Sequence, residues 1–372
     1  MDGPRPPRAS EIDDLAALLL EVFEFFRDHS SHDRLRRDLG RRARMRTTRV
    51  IVEDGKPVSH IYTAYDRLSI LGCRVKVGSV SSVCTHPDYR GRGFARTILA
   101  QSFADMRAAG ARIVVISGNR GLYRRAHCVP AGWMLEGRVY RDSFPAGGIG
   151  LTVRRGHPDD WPILSALHGA EPVRFLRTAD TFARLGARWV GSPPELWLVE
   201  SHNNPVAYLW LGPLWELRRN PSRDVREYAG PRAALVEAIP QILDAAGIEE
   251  LEMTVLGYDR EFAYLLSSRG IELKPTTLAG THGLLNLPGL MRDMRPHLAA
   301  RLPSADLRRL SFDQRGDTCA FGLGEERLAL DASQAARLVL GAPEAPSAGG
   351  DLGRVLSSIF PLPIPMAGFN SV

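Results

Sequence analysis

The segment from Val80 to Arg96 constrains the fold more than any other part of this sequence. It reads as a β-strand that runs into a turn rich in glycine and arginine, and the turn opens the amphipathic helix Phe94–Ala109. The N–H groups of such a turn and the first amides of the helix converge where the helix dipole is positive. Gly91 and Gly93 leave that spot open, because a side chain would hold a ligand off the backbone. The segment therefore predicts a pyrophosphate site.

Two common phosphate-binding motifs do not fit this segment. No Gly-Lys-Ser/Thr follows the glycines, which excludes a P-loop. A dinucleotide-binding turn needs three glycines at fixed spacing after a first strand, and this turn has two.

The order of predicted elements indicates an α+β protein with more than one module. A helix at 11–27 precedes strands at Arg49–Glu53 and Val58–Tyr65, a strand pair around Gly72, and Val80–Thr85. From about residue 151 a helix–strand–helix order recurs, which we interpret as a degenerate internal duplication. The predicted domains are 1–150, 151–285 and 286–372.

Composition is typical of a folded soluble protein, with 44% hydrophobic and 24% charged residues. No apolar run approaches the length of a membrane span and no signal peptide is recognisable, so we expect a cytoplasmic protein without a membrane partner. The four cysteines are scattered, and the histidines form no cluster with metal-ligand spacing. We therefore expect neither disulfides nor a metal site.

The net charge of +6 rests on arginine, which supplies 45 of the 48 cationic side chains. The densest run lies at 36–49. We interpret it as a solvated helix face, with phosphate or nucleic-acid contact as the alternative. No aromatic residues interleave with these arginines, so a nucleic-acid partner is not expected.

The turn resembles a known signature. Arg90 to Ala95, preceded by Pro87 and Tyr89, is similar to the Arg/Gln-x-x-Gly-x-Gly/Ala motif of the GCN5-related N-acetyltransferase (GNAT) superfamily. The resemblance implies the GNAT acyl-CoA N-acyltransferase fold and acetyl-CoA as co-substrate, with no metal. It implies cofactor contacts from twelve residues: Val83, Cys84, Thr85, Arg90, Gly91, Arg92, Gly93, Phe94, Ala95, Arg96, Gly118 and Asn119.

Acetyl transfer to an amine also needs an acid for the departing thiolate and a base for the amine. Tyr123 matches the position of the superfamily's tyrosine acid, and a packed aromatic is the alternative. A strand N–H near Cys84 is the expected donor to the carbonyl oxygen. Many GNAT relatives carry a glutamate base on this strand, whereas Val80–Thr85 contains serines and no carboxylate.

The three-part layout and the proline-rich ending Pro361–Val372 resemble the enhanced intracellular survival (Eis) family. This resemblance implies tandem GNAT modules, the second degenerate, and a C-terminal sterol-carrier-like α+β module. It implies that the terminal carboxylate of Val372 acts as the base; a tail that packs only for stability is the alternative. It also implies a homo-oligomer, with the hexamer of those relatives as the candidate state.

The sequence thus predicts an N-acetyltransferase that acts by direct attack in a ternary complex. The acceptor is a primary amine of a small polycationic, aminoglycoside-like substrate or of a protein. The alternative function is a non-catalytic acyl-CoA- or lipid-binding sensor or scaffold.

Several further residues are open to two interpretations. Cys84 is interpreted as a buried strand residue rather than a nucleophile, and His127 as a partly buried histidine rather than a base. Glu21 and Glu24 are interpreted as solvated, with an acidic amine pocket as the alternative. The second module's turn, Glu227–Arg232, is predicted to bind no cofactor because its proline removes an amide donor.

Overall fold

The computed structural model describes residues 1–24, 26, 31–144, 150–186, 195–212 and 222–370. The strands, in chain order, are β1 (Asp2–Arg5), β2 (Thr48–Glu53), β3 (Lys56–Ile70), β4 (Cys73–Thr85), β5 (Ile113–Ile116), β6 (Trp133–Tyr140), β7 (Leu151–Arg155), β8 (Val173–Phe175), β9 (Glu195–Ser201), β10 (Asn204–Leu211), β11 (Ser222–Ala229), β12 (Glu250–Leu256), β13 (Lys274–Thr277), β14 (Thr281–Leu284), β15 (Leu310–Arg315), β16 (Thr318–Leu323) and β17 (Glu326–Asp331).

Helices connect and cover these strands. In chain order they are α1 (Ile12–Val22), α2 (His32–Leu39), α3 (Arg42–Thr47), α4 (Phe94–Ala108), α5 (Gly121–Arg124), α6 (Trp161–Ala170), α7 (Ala179–Gly186), α8 (Arg232–Ala246), α9 (Arg260–Ser267), α10 (Leu287–Asp293), α11 (Arg295–Arg301), α12 (Ser304–Arg309), α13 (Ala332–Leu340) and α14 (Gly350–Ile359).

The first sheet has the order β1-β2-β3-β4-β5-β14, with β8 paired to β3. Its centre is one long hairpin, β3–β4, where the sequence predicted four shorter strands: Val58–Tyr65, a pair around Gly72, and Val80–Thr85. The hairpin turn consists of Leu71 and Gly72, which both have positive φ, 50° and 85°. Two consecutive positive φ values are typical of the tight turns whose twist matches that of paired strands. The twist match lets β3 and β4 stay paired over their whole length.

The second sheet has the order β13-β6-β12-β11-β10-β9-β7. Its strand β6 comes from the predicted first domain, and β14, from the predicted second domain, pairs with β5 in the first sheet. Each of the first two modules therefore contributes a strand to the sheet of the other. The first two sheets thus cross the domain boundary predicted at residue 150, whereas no sheet formed by the described strands crosses the one predicted at residue 285. Both boundaries stay predictions for the chain's folding units.

The two sheets contain the same supersecondary unit. In the first, β4 leads through a turn into α4 and on to β5, and β4 and β5 pair in parallel. In the second, β11 leads into α8 and on to β12, again with parallel pairing. The common unit agrees with the predicted internal duplication.

The third module places the antiparallel sheet β15-β16-β17 and its helices against the first sheet. One core cluster contains Leu68, Val77 and Ile113 of the first sheet together with Phe321 and Val355 of the third module. Burial of these apolar side chains fixes the third module on the first. Its sterol-carrier-like character stays a prediction. None of the described helices is long and apolar enough to cross a membrane.

Candidate functional site

β4 and β5 pair only over part of β4. The ladder runs from Val77 opposite Ile113 to Val80 opposite Ile116. Beyond it Ser82 has a positive φ of 51°, and the register between β3 and β4 shifts at this point. Such a bulge bends the strand. The stretch Val83–Thr85 therefore continues along β3 but has left β5, and its outer edge can accept an added strand.

A buried histidine that the sequence analysis did not identify supports this bulge. His60 Nδ1 lies 2.7 Å from the carbonyl oxygen of Ser82, so this nitrogen carries the proton and donates. Burial lowers the pKa of His60 to about 4, which keeps the ring neutral at neutral pH. Among the described residues, its buried Nε2 has no hydrogen-bond partner.

The turn after β4 has the geometry that the sequence predicted. Gly91 and Gly93 have φ of 79° and 80°, in the left-handed region, and Gly93 is the N-cap of α4. A Cβ built on either glycine would meet no atom within 4 Å. The backbone conformation, rather than crowding, therefore favours glycine here, and the space in front of the turn is open.

A cavity of about 700 Å³, the turn cavity, lies against this turn. Arginines at four positions line it, and its described lining includes no aspartate or glutamate. Together with the helix N-terminus, they create a positive potential that suits a phosphorylated ligand. The lining residues are Val22, Val83, Cys84, Thr85, Tyr89, Arg90, Gly91, Gly93, Phe94, Ala95, Arg96, Arg120, Leu122, Tyr123 and Arg125.

Nine of the twelve predicted cofactor residues line the turn cavity, and three lie elsewhere. The guanidinium of Arg92 lies over the Tyr89 ring, 4.8 Å from its centroid. The carbonyl oxygen of Gly118 accepts a 2.9 Å hydrogen bond from Thr281, and Asn119 is exposed. The sequence analysis missed Arg120 and Arg125, although cations beside the predicted acid were a visible signal.

Tyr123 lies at the wall of the turn cavity, with only 6% of its surface exposed. Its ring packs against Gly118, where an added Cβ would come within 2.7 Å of the ring. Burial raises the pKa of the Tyr123 phenol, and the charge of Arg120 opposes this in part. The phenol is therefore protonated at neutral pH and can act as an acid.

The cysteine on this strand does not have the properties of a nucleophile. Cys84 is 5% exposed, and burial raises the pKa of its thiol to about 12. A thiol is reactive as the thiolate, which this environment disfavours. The interpretation of Cys84 as a buried strand residue agrees with the structure.

A second cavity of about 440 Å³, the tail cavity, begins where β4 leaves β5. Ser79 and Val80 of β4 line it together with the C-terminal segment 364–368 and Asn370. Its opposite wall comes from the second sheet and carries the carboxyl groups of Glu136, Asp224 and Glu252 and the guanidinium of Arg226. Three carboxyl groups beside one guanidinium favour a cationic ligand.

A buried arginine holds the C-terminal segment in this position. Arg177 donates hydrogen bonds to Asn370 Oδ1 at 2.5 Å and to the Ala367 carbonyl oxygen at 3.3 Å. It also pairs with Glu227 at 2.7 Å. Burial alone would raise the pKa of Glu227, but Arg177 and His168 outweigh it and hold that pKa below its usual value. The predicted base, Val372, lies outside the described residues.

The sequence analysis also missed a second histidine, His282, which lines the tail cavity. His282 on β14 is 1% exposed, and burial lowers its pKa to about 4. His282 pairs with Val115 of β5, which explains why sequence could not reveal it: the two residues meet only through the strand exchange.

We expect the stability of the fold to decrease as the pH falls from about 6.5 to about 4. His60 and His282 have pKa values of about 4 in the fold, against 6.5 for an exposed histidine. Above pH 6.5 both histidines are neutral in the folded and in the unfolded chain. Below pH 6.5 each histidine binds a proton in the unfolded chain but stays neutral in the fold until the pH approaches 4. The free energy of unfolding then falls by up to about 2.7 kcal/mol per pH unit. Urea unfolding across this range measures the slope.

The control is the double variant His60→Gln/His282→Gln. In this variant the free energy of unfolding should depend less steeply on pH, because the contribution of His60 and His282 is lost. The contribution of His168 and His297, whose pKa values burial also lowers, should remain. An unchanged slope in the double variant would contradict the assignment.

Other candidates have structural roles. His127 contacts Ser333 Oγ at 3.1 Å and Asp317 at 3.4 Å, both in the third module, which agrees with its interpretation as an ordinary histidine. Glu21 is exposed and lies 3.2 Å from His86 Nε2. Within the arginine run, Arg36 and Arg41 are exposed and form ion pairs, which agrees with a solvated face. Arg44 and Arg49 are largely buried and also form ion pairs, so this part of the run is not solvated.

The turn of the second module is occupied by the protein itself. The Gly230 N–H donates to Glu171 Oε1 at 2.9 Å, and Arg232 binds the same carboxylate at 2.6 Å. Arg232 also pairs with Asp259 at 2.7 Å. A carboxylate therefore takes the amide that a phosphate would need, which supports the prediction that this turn binds no cofactor.

In the described part of the chain, no group of three or more His, Cys, Asp or Glu side chains is arranged to hold a metal ion.

Comparison with known proteins relates this geometry to a family. Residues 4–130 match the family described as "Acetyltransferase (GNAT) domain", which covers 127 of the 372 residues. No curated protein matches the sequence. The match agrees with the predicted signature, since it spans the β4 turn and Tyr123.

Solved structures extend the similarity to nearly the whole chain. A GCN5-related N-acetyltransferase from Kribbella flavida is similar with a TM-score of 0.66 at 16% identity, over 97% of this chain and 96% of that one. One from Anabaena variabilis has a TM-score of 0.67 at 14% identity, over 95% and 96%. Eis1 from Mycobacterium abscessus has a TM-score of 0.58 at 14% identity, over 86% and 89%. These similarities show a GNAT-type α+β fold.

Proposed function

We propose, from the GNAT domain at residues 4–130, that this chain transfers an acetyl group from acetyl-CoA to a primary amine. The observation that carries the proposal is the position of two cavities along the same strand, β4. Val83–Thr85 line the cationic turn cavity, and Ser79 and Val80 line the acidic tail cavity. A thioester lying along Val83–Thr85 would end between the two.

The turn cavity supplies what acetyl-CoA requires. The amides at the start of α4 and the guanidinium groups of Arg90, Arg96, Arg120 and Arg125 suit the phosphates. The open edge of β4 after Ser82 can pair with the amide groups of the pantetheine arm. The same arrangement places the carbonyl of the thioester close to the backbone N–H groups of the bulge, which can stabilise negative charge.

Tyr123 provides the acid in the proposed reaction. The amine nitrogen attacks the thioester carbonyl, the new C–N bond forms and the C–S bond breaks. The departing sulfur takes the proton of the Tyr123 phenol, and the proton lost by the amine goes to a base. Transfer within one ternary complex needs no covalent enzyme intermediate, which agrees with the protonated, buried thiol of Cys84.

The tail cavity supports a small polycationic acceptor, such as an aminoglycoside-like amine, over a protein amine. Asp224 forms an ion pair with Arg226, and the carboxyl groups of Glu136 and Glu252 give this wall a net negative charge that attracts ammonium groups remote from the attacked nitrogen. A cleft of about 440 Å³ accommodates a compact ligand.

The terminal carboxylate of Val372 is the proposed base. Asn370 lines the tail cavity, and two further residues extend at most about 7 Å. Ser79 and Val80, at the end of the β4–β5 ladder, line the same cavity, and the proposal places the carboxylate there. The hydrogen bonds from Arg177 to Asn370 and Ala367 already order the C-terminal segment, so that placing the carboxylate costs less conformational entropy. We also propose that the chain belongs to an Eis-like subfamily and that it forms a homo-oligomer.

The test combines the full-length chain, acetyl-CoA and three acceptors: an aminoglycoside, a linear polyamine and a lysine peptide. We expect release of free CoA thiol with the first two. The variant that ends at Asn370 should bind acetyl-CoA normally but turn over at least about 100-fold more slowly. Unchanged turnover would remove Val372 from the mechanism. Absence of thiol release with every amine, despite bound cofactor, would contradict the proposed enzyme.

A further inference from the structure

A third cavity, the arginine cavity, has a volume of about 490 Å³ and lies where all three modules meet. Leu71 of the β3–β4 turn, Tyr258 and Arg260 of the second module, and His297 and Arg301 of α11 line it. The start of the C-terminal segment, 360–363, closes one side. The predicted acetyl transfer uses none of these residues.

The charged side chains in the described lining of this cavity are all cationic. Arg260 and Arg301 both line it, and its described lining includes no aspartate or glutamate. Neither guanidinium forms an ion pair with any carboxylate in the described ranges; Arg301 donates only to the Ser358 carbonyl oxygen, at 3.3 Å. In contrast, Arg112 of the first module pairs with Asp293 of the third module at 2.7 Å. The arginine cavity therefore has cationic groups available to a ligand.

An apolar groove of about 440 Å³ adjoins the arginine cavity. The two share Trp133, Ser357, Phe360 and Pro361. Trp133 is 44% exposed, which is unusual for a large aromatic side chain in this protein. An exposed aromatic beside unpaired cations is typical of sites that bind ligands with one anionic and one apolar part.

From this juxtaposition we propose that the arginine cavity binds a small organic anion. Its phosphate or carboxylate group contacts Arg260 and Arg301, and its apolar part packs on Trp133. Because Phe360 and Pro361 form part of the wall, the bound anion also stabilises the start of the segment that continues to the tail cavity.

The test uses phenyl phosphate as the probe, on the full chain with CoA present to occupy the turn cavity. Titration calorimetry should show one further site, and Arg260→Met/Arg301→Met should weaken its affinity about 10-fold or more. Inorganic phosphate should bind more weakly than phenyl phosphate, and benzyl alcohol should not bind at this site. Hydrogen exchange at residues 360–363 should slow when the probe is bound.

A matched control removes two exposed arginines elsewhere, Arg37→Met/Arg315→Met, with the same change in net charge. It should keep the affinity for phenyl phosphate. Equal affinity in both double variants, or no binding at millimolar probe, would overturn the proposal. Equal binding of benzyl alcohol would overturn the role of charge, and equal binding of inorganic phosphate would overturn the role of Trp133. These readouts are independent of acetyl transfer.

Discussion

Replacing Tyr123 by phenylalanine is expected to lower the turnover of acetyl transfer about 100- to 10,000-fold while the affinity for acetyl-CoA stays close to that of the wild type. The substitution removes one hydroxyl and keeps the ring that packs on Gly118. If the phenol protonates the departing sulfur, its loss acts on the chemical step and not on binding. Stability should change little, because the described residues provide the hydroxyl with no hydrogen bond to lose.

The measurement is steady-state release of CoA thiol, together with the affinity for acetyl-CoA from calorimetry. Tyr65→Phe is the matched control: Tyr65 is a partly buried tyrosine of the same domain that lines neither the turn cavity nor the tail cavity. It should retain turnover. In contrast, Gly93→Val should lower affinity for acetyl-CoA, because a side chain at φ 80° both strains the turn and occupies the open space.

Parallel losses of turnover and of cofactor affinity in Tyr123→Phe would indicate that Tyr123 serves as a packed aromatic, which is the alternative that the sequence left open.

The second large effect is expected from Arg232→Met, which should lower the free energy of unfolding of the second module by about 3–5 kcal/mol. Arg232 is 8% exposed and binds both Glu171 and Asp259. Without it, two buried carboxylates face each other with no cation. Methionine restores the apolar stem of the side chain but none of the charge.

Urea unfolding followed by tryptophan fluorescence measures this loss, because Trp197 and Trp210 are buried in the second sheet. Arg354→Met is the control, since Arg354 also contacts two carboxylates, Asp306 and Asp351, but at an exposed site where water screens them. Its unfolding midpoint should stay near that of the wild type.

A second test distinguishes charge from packing at Arg232. Adding Glu171→Gln and Asp259→Asn to Arg232→Met removes the unpaired charges and should recover part of the lost stability. If the triple variant is no more stable than Arg232→Met, the loss comes from packing and the ionic argument is wrong.

The Arg232 cluster also explains how the second module differs from the first. Both modules place a strand, a glycine turn and a long helix in the same order. In the first, the turn faces open space; in the second, Glu171 accepts a hydrogen bond from the turn amide at 2.9 Å. The same local structure therefore has an open turn in one module and an internal ion pair in the other.

The sequence by itself determined the turn cavity to a large extent. The strand, the two glycines with positive φ and the N-terminal amides of α4 all lie within seventeen consecutive residues, 80–96. Local backbone geometry satisfies every requirement of such a site, so the pattern of residue types is sufficient to predict it. Tyr123 and most of the predicted cofactor residues accordingly line one cavity.

The tertiary structure alone decided the tail cavity, the arginine cavity and the exchange of β6 and β14 between the sheets. The tail cavity combines Ser79, Glu136, Asp224 and Asn370, which lie far apart along the chain. Pairing between strands that are distant in sequence depends on which apolar faces and edges match in the folded state. The residues of one strand do not identify its partner, because strands of similar composition can pair with one another. For this physical reason the sequence predicted a cofactor site, while the tail cavity and its carboxyl groups emerged only from the fold.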